Sequence, residues 1–207
     1  MKIGGLVVAL LGLMTAAVPA AAQDKFRSIY LGGSMGVGLH HDFCNNATVT
    51  AAAMGNGPVT SCEDSTNAYR AFAGYRFNRN LALEVGYASP GQATAEANVG
   101  GPLLPIRQKT KGWDYSGILS FQLSGDLYGF GRLGAYTMRS WTDTYVANAP
   151  TLTAAETSTG FTGGIGMGWD LGMLGVRAEW QRYLNVGGGS VPEDTIDVIS
   201  LGALLRF

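Results

Sequence analysis

The residues that end the chain, Thr195 to Phe207, alternate in character with a period of two. From Ile199 onward the odd positions Ile199, Leu201, Ala203, Leu205 and Phe207 suit hydrocarbon, while Ser200, Gly202 and Arg206 are small or polar. A period of two belongs to a β-strand, and this pair of faces belongs to a strand with lipid on one side and a polar lumen on the other. Only Leu204 breaks the pattern. The segment is expected to be the last strand of a membrane barrel, with the aromatic Phe207 as a C-terminal insertion signal for the outer-membrane insertion machinery. A chain that stops at its final strand is expected to carry its function in the barrel and its loops.

At the other end, Lys2 precedes an apolar run from Leu6 to Met14, and Pro19-Ala20-Ala21-Ala22 supplies the small residues of a cleavage site. These are the marks of a secretory leader, so residues 1–22 are expected to be removed and residues 23–207 to form one barrel domain. An uncleaved anchor is the competing reading, although the apolar run is about half of what a spanning helix needs. Export and a lipid-facing terminal strand together predict a bacterial outer-membrane location.

Composition supports the same class. Charged residues make up only 14% of the chain, well below the roughly 25% of soluble domains. Yet no second apolar stretch approaches the ~20 residues of a membrane helix. A barrel resolves the conflict, because only alternate residues face lipid and the hydrophobicity is diluted along the sequence. The formal net charge of −1 gives no basic surplus and argues against a nucleic-acid partner.

The alternation recurs along the chain. From Ser28, the residues Ile29, Leu31, Met35, Val37 and Leu39 share one face, and Tyr30, Gly32, Ser34, Gly36, Gly38 and His40 share the other. Further strands are predicted near 67–77, 81–88, 111–123, 127–141, 159–171 and 174–183, with the eighth at the C-terminus. The face assignment of 127–141 stays open, because Tyr128, Phe130 and Tyr136 share parity with Arg132. Short turns near 78–80, 124–126 and 172–173 alternate with four long polar connections, near 41–66, 88–110, 142–158 and 185–195. That rhythm predicts an all-β, eight-stranded antiparallel up-and-down transmembrane β-barrel with its long loops outside the cell. A soluble eight-stranded barrel would place the apolar face inside. It is disfavoured by aromatics near strand ends on the apolar parity, namely Tyr69, Phe77, Tyr87, Trp113, Trp169, Trp180 and Phe207.

The run Gly74-Tyr75-Arg76-Phe77-Asn78-Arg79-Asn80-Leu81-Ala82-Leu83-Glu84-Val85-Gly86-Tyr87 resembles the second hairpin of the small outer-membrane β-barrel family that includes OmpA-like, OmpX-like and opacity-type surface proteins. Together with the leader, the strand count and Phe207, the resemblance extends over essentially the whole mature chain. It implies a structural or surface-interactive role, supporting the envelope and presenting loops to the exterior. The resemblance is to the barrel alone, so a C-terminal peptidoglycan-binding domain is not expected and cell-wall anchoring is not carried over.

Inward parity collects Arg70, Arg76, Glu84, Asp114, Arg132, Asp170, Arg177, Glu179 and Arg206. Charges in a narrow lumen are costly unless paired, so these residues are expected to form a network that fills the bore rather than a gated ion pathway. Cys44 and Cys62 lie in one polar interval, and export makes a disulfide between them the simplest reading. Two free thiols, or a metal site with His40 and His41, are the competing readings. No cofactor and no catalysis are expected, since no Gly-x-Ser-x-Gly elbow accompanies the two histidines. The glycine-rich segment 163–168 lies within a strand alternation and opens no helix, unlike a dinucleotide loop. Outer-membrane lipid is the expected surrounding, and any external ligand is left unidentified. A narrow low-conductance channel is the alternative function, and a lipid-modifying enzyme the third.

Overall fold

A computed structural model describes residues 28–53, 59–98, 103–146, 149–189 and 191–207. The expected leader and its cleavage point before Gln23 lie outside the described residues. The elements are β1 (Ser28–His40), α1 (Phe43–Ala53), β2 (Val59–Glu63), β3 (Ser65–Arg76), β4 (Leu81–Asn98), β5 (Leu103–Ser124), β6 (Leu127–Val146), β7 (Ala149–Leu171), β8 (Leu174–Gly188) and β9 (Val191–Arg206). Eight strands close in the order β1-β3-β4-β5-β6-β7-β8-β9, and β9 pairs back onto β1 with Leu31 opposite Leu205 and Val37 opposite Ile199. All of these pairings are antiparallel. The short β2, separated from β3 by Asp64 alone, pairs with the far end of β4 on the edge that β3 occupies lower down, and so continues the wall there.

Closure removes the sheet edges and satisfies every ladder, which is what hydrocarbon demands of a spanning structure. The alternation then fixes the faces. Leu83, Leu119, Met167 and Leu201 point outward and are 50–69% exposed. The opposite parity is buried in the bore, including Leu204, whose break in the terminal pattern has a simple cause. It packs inward with Tyr30, Phe72, Ala82, Ile118 and Phe130 in an apolar layer near the short turns. A second apolar layer, Ala88, Tyr136, Met138, Tyr183, Val186 and Ile196, lies toward the loops. Tyr128, Phe130, Arg132 and Tyr136 all face inward, which settles the parity left open on β6.

Aromatics inside so narrow a barrel need space, and glycine provides it. Tyr30 stands directly opposite Gly74 and Phe72 opposite Gly32, while on β6 and β7 Tyr128, Phe130 and Tyr136 face Gly168, Gly166 and Gly160. A Cβ at Gly74 would lie 2.2 Å from the Tyr30 ring, and one at Gly166 would lie 2.4 Å from Phe130. Each ring thus covers its cross-strand glycine. At the turn after β3, Asn78 Oδ1 accepts from the backbone N–H groups of Asn80 and Leu81 at 2.9 and 2.8 Å.

The long connections differ from the expectation. β4 and β5 remain paired out to Asn98 and Leu103, β6 and β7 out to Val146 and Ala149, and β8 and β9 out to Gly188 and Val191. The intervals 88–110, 142–158 and 185–195 are therefore largely continued wall. Beyond the membrane the outer face meets water, so the apolar contrast that reveals a strand fades there. A bulge at Ser89 and Pro90, with Gly91 at φ +128°, also reverses the parity of β4, so that Ala93 and Ala95 face inward. The interval 41–66 holds α1 and β2. The rim is consequently uneven: β1 has 13 residues, whereas β5, β6 and β7 have 22, 20 and 23.

Candidate functional site

Between the two apolar layers each strand contributes what its inward parity dictates, and six charged residues meet. Glu84 of β4 is the hub. Its Oε1 accepts from Tyr30 Oη at 2.9 Å and Arg177 Nη1 at 2.6 Å, and its Oε2 accepts from Arg132 Nη2 at 2.7 Å and Arg70 Nη1 at 3.2 Å. Arg70 also donates through Nε and Nη2 to both oxygens of Asp114, at 2.9 and 2.6 Å. Arg132 binds Glu179 through Nε, and Arg177 Nη2 lies 3.5 Å from the same carboxylate. The Arg177 guanidinium stacks 3.9 Å above the Phe72 ring.

Three arginines and three carboxylates balance, and all six are buried. An isolated charge at this depth would be prohibitive, but each guanidinium here has carboxylate partners and each carboxylate several donors. The residues come from β3, β4, β5, β6 and β8. They cross-link the wall and occupy the space along the barrel axis, as an eight-stranded bore is narrow enough to allow.

The remaining three inward charges form a separate group at the short-turn end. Asp170 contacts Arg206 Nη2 and lies 3.8 Å from Arg76 Nη1, and its side chain is 33% exposed. Phe207, by contrast, is 70% exposed, and its backbone N–H donates to Ile29 O at 2.9 Å, so the last residue is tied to the first strand.

At the loop end the mouth is covered. Phe43 and Ala47, one turn apart on α1, pack with Ala93 and Ala95 of β4, and Cys44 is joined to Cys62 of β2 with Cα atoms 6.0 Å apart. The bond leaves neither thiolate for a metal. Beneath the helix, His40 Nδ1 sits 2.6 Å from Asp194 Oδ2, and the Asp42 backbone N–H donates to Asp194 Oδ1 at 2.9 Å. His40 Nε2 is buried and has no hydrogen-bond partner among the described residues.

His41 points the other way. Its Nε2 lies 2.8 Å from Asp197 Oδ2 on the outer wall, and Arg182 donates to both oxygens of Asp197 at 2.7 and 2.6 Å. The two adjacent histidines thus stand on opposite faces of β1 and its extension. Sequence reasoning named neither Asp194 nor Asp197 as their partners, and only strand parity could have separated the pair.

Comparison with known proteins gives a consistent picture. A family model described as the OmpA-like transmembrane domain matches residues 24–207. The outer membrane protein A of Serratia marcescens is 28% identical over 208 residues, with 98% of this chain matched to 55% of that protein. The chain therefore spans about half the length of that curated relative. Among solved structures, Neisserial surface protein A has a TM-score of 0.57 at 15% identity, covering 86% of this chain and 97% of that one. The attachment invasion locus protein Ail of Yersinia pestis, in complex with the heparin analogue sucrose octasulfate, has a TM-score of 0.50 at 13% identity over 87% and 97% of the two chains. At these identities the structural likenesses speak to fold alone.

Proposed function

We propose, from the premise that this chain belongs to the OmpA-like transmembrane domain family and resides in the bacterial outer membrane, that it is a non-enzymatic structural and surface-interaction barrel. It supports the envelope and carries its loop end outside the cell. The single observation that supports this reading is the buried network centred on Glu84, which ties five strands together where a conducting pore would need open space. The disulfide-held α1 adds a second obstruction at the mouth. Removal of residues 1–22 during export, and reading of Phe207 on β9 by the outer-membrane insertion machinery, belong to the same proposal. External partners would meet the loop end, and the complex of Ail with a sulfated heparin analogue is a property of that protein.

Planar-bilayer recording tests this reading against a narrow channel. The purified chain is expected to give no stepwise conductance. Well-defined steps that vanish in a bulky luminal variant such as Ser116→Phe would overturn the sealed-bore role. Mass spectrometry of lipid A from cells with and without the protein tests the enzymatic alternative, and an unchanged acyl pattern is expected.

A further inference from the structure

We infer that the outer face of β5 and β6, just beyond the loop-side aromatic belt, binds a phosphorylated lipid headgroup of the outer leaflet, gripped by Lys111 and Arg139. This rests on the orientation proposed above, with the loop end outward.

The placement follows from strand parity. Trp113, Tyr115, Leu119 and Phe121 are outward and at least half exposed, so Lys111 and Lys109 lie on that same face, two and four residues nearer the loops. Trp113 packs edge to face on Tyr87 with ring centres 5.2 Å apart, marking the headgroup level where such rings settle. On β6, Arg139 is also outward. It stands directly opposite Lys111 in the register, and Lys109 stands opposite Trp141.

Two cations opposite one another on neighbouring strands repel unless an anion lies between them. Among the described residues neither has an ion pair, and neither does Lys109; Arg139 only stacks on Trp141, 5.4 Å from the ring. Their flanks are neutral and polar. Lys109 faces Gln92 on β4, Arg139 faces Thr157 on β7, and the β4 bulge at Ser89 and Pro90 lies beside Lys111. The nearest carboxylate on this face of β6, Asp143, is opposite Arg107 instead. A contrast stands elsewhere on the same outer wall, where Arg182 is neutralised by Asp197. The β5–β6 wall thus presents concentrated positive charge with hydrogen-bonding neighbours at headgroup depth.

The outer leaflet of this membrane is built from lipid A, whose sugars carry phosphates. A guanidinium can hold a phosphate through paired N–H donors, and an ammonium adds a point charge beside it. Trp113 and Tyr87 lie directly below to receive the acyl chains.

The test is binding of diphosphoryl lipid A to the full chain folded in detergent micelles, followed by native mass spectrometry, with heat-modifiable gel mobility as the folding control. The Lys111→Gln/Arg139→Gln double variant is expected to weaken binding at least about tenfold and to flatten its salt dependence. Arg139→Lys is expected to retain most of the affinity, and Arg79→Gln, at the opposite end of the barrel, to leave it unchanged. Undiminished binding by the double variant would overturn the site. Displacement of lipid A by millimolar inorganic phosphate, or equally tight binding of phosphatidylglycerol, would overturn the identity of the ligand. Should the double variant not fold, phosphatase treatment of the lipid before binding to the wild-type chain supplies the same comparison, and unaltered binding after phosphate removal would sink the proposal. None of these readouts depends on conductance, so this inference and the sealed-bore reading fail separately.

Discussion

Arg132 reaches across the bore to Glu84, setting Nη2 at 2.7 Å from Oε2 although the two residues are 48 positions apart in the chain. Arg132 is fully buried and Glu84 nearly so, which makes each the condition for the other's charge. The energetic weight of the pair lies in what its removal would leave behind.

Replacing Glu84 by Ala would strand Arg70, Arg132 and Arg177 with two carboxylates among them. The expected loss is about 3–5 kcal/mol, the usual cost of leaving a buried charge without its partner. Tyr30→Phe removes one neutral donor from the same carboxylate and should cost about 1 kcal/mol. Urea-unfolding midpoints in micelles, read by tryptophan fluorescence, would order the two variants, and equal losses would contradict the hub role of Glu84.

Glycines in this wall are not equivalent. Gly74→Ala sets a methyl group where the Tyr30 ring lies, 2.2 Å away, and should destabilise by about 1–3 kcal/mol through overpacking. Gly131 has open space around the corresponding position, and its alanine variant should be close to neutral. The same unfolding measurement separates the two. A neutral Gly74→Ala would mean that Tyr30 is free to move off its glycine.

Reducing the Cys44–Cys62 bond should release α1 while leaving the eight-stranded ring intact. Closing a loop of this length restrains the unfolded segment by about 3 kcal/mol on the chain-entropy model. Hydrogen exchange by mass spectrometry is expected to speed up across residues 43–53 after reduction, with exchange in β6 and β7 unaltered. Unchanged protection of the helix would show that Phe43 and Ala47 hold it without help.

Asp197 lies on the loop side of Trp180, outside the apolar band, where hydrogen bonds from Arg182 hold its carboxyl below the usual aspartate value. A carboxyl whose pKa is lowered by folding stabilises fully above its unfolded value of about 4, and the contribution is lost as pH falls through the folded value. The loop end of β8 and β9 should therefore loosen on acidification below about pH 4. Pepsin cleavage within residues 184–195 should rise with acid more steeply in the wild type than in Asp197→Asn, and parallel profiles would remove Asp197 as the cause.

Much of this architecture can be read from the sequence because membrane strands advertise their faces. Leu83, Leu119, Met167 and Leu201 contrast sharply with the Gly, Ser and charged residues between them, and that contrast fixes both strand count and orientation. It fails above the lipid, where Gln92, Thr94 and Thr157 on one face alternate with Ala93, Ala95 and Ser158 on the other and no contrast remains. The helix α1 is hidden for a related reason: Phe43 and Ala47 alone of its described side chains are buried, and FCNNATVTAAA has no apolar stripe to announce it. The inward charges can be listed from parity, but not matched. Glu84 meets Arg177 across 93 positions of chain, and its separation from the Asp170 group depends on the tilt and register of strands that a linear pattern does not contain.

The uneven rim carries one more implication. The strands β1 and β7 differ by 10 residues, nearly all of it at the loop end. At a rise near 3.3 Å per residue and a tilt near 40°, that is roughly 25 Å of height, comparable to the apolar band itself. The barrel is thus a tower with one side cut away, and α1 sits like a step in the gap. With the loop end outward as proposed, a molecule at the cell surface would meet a lower wall on the β1 flank than on the β7 flank, which gives an otherwise cylindrical protein a front and a back.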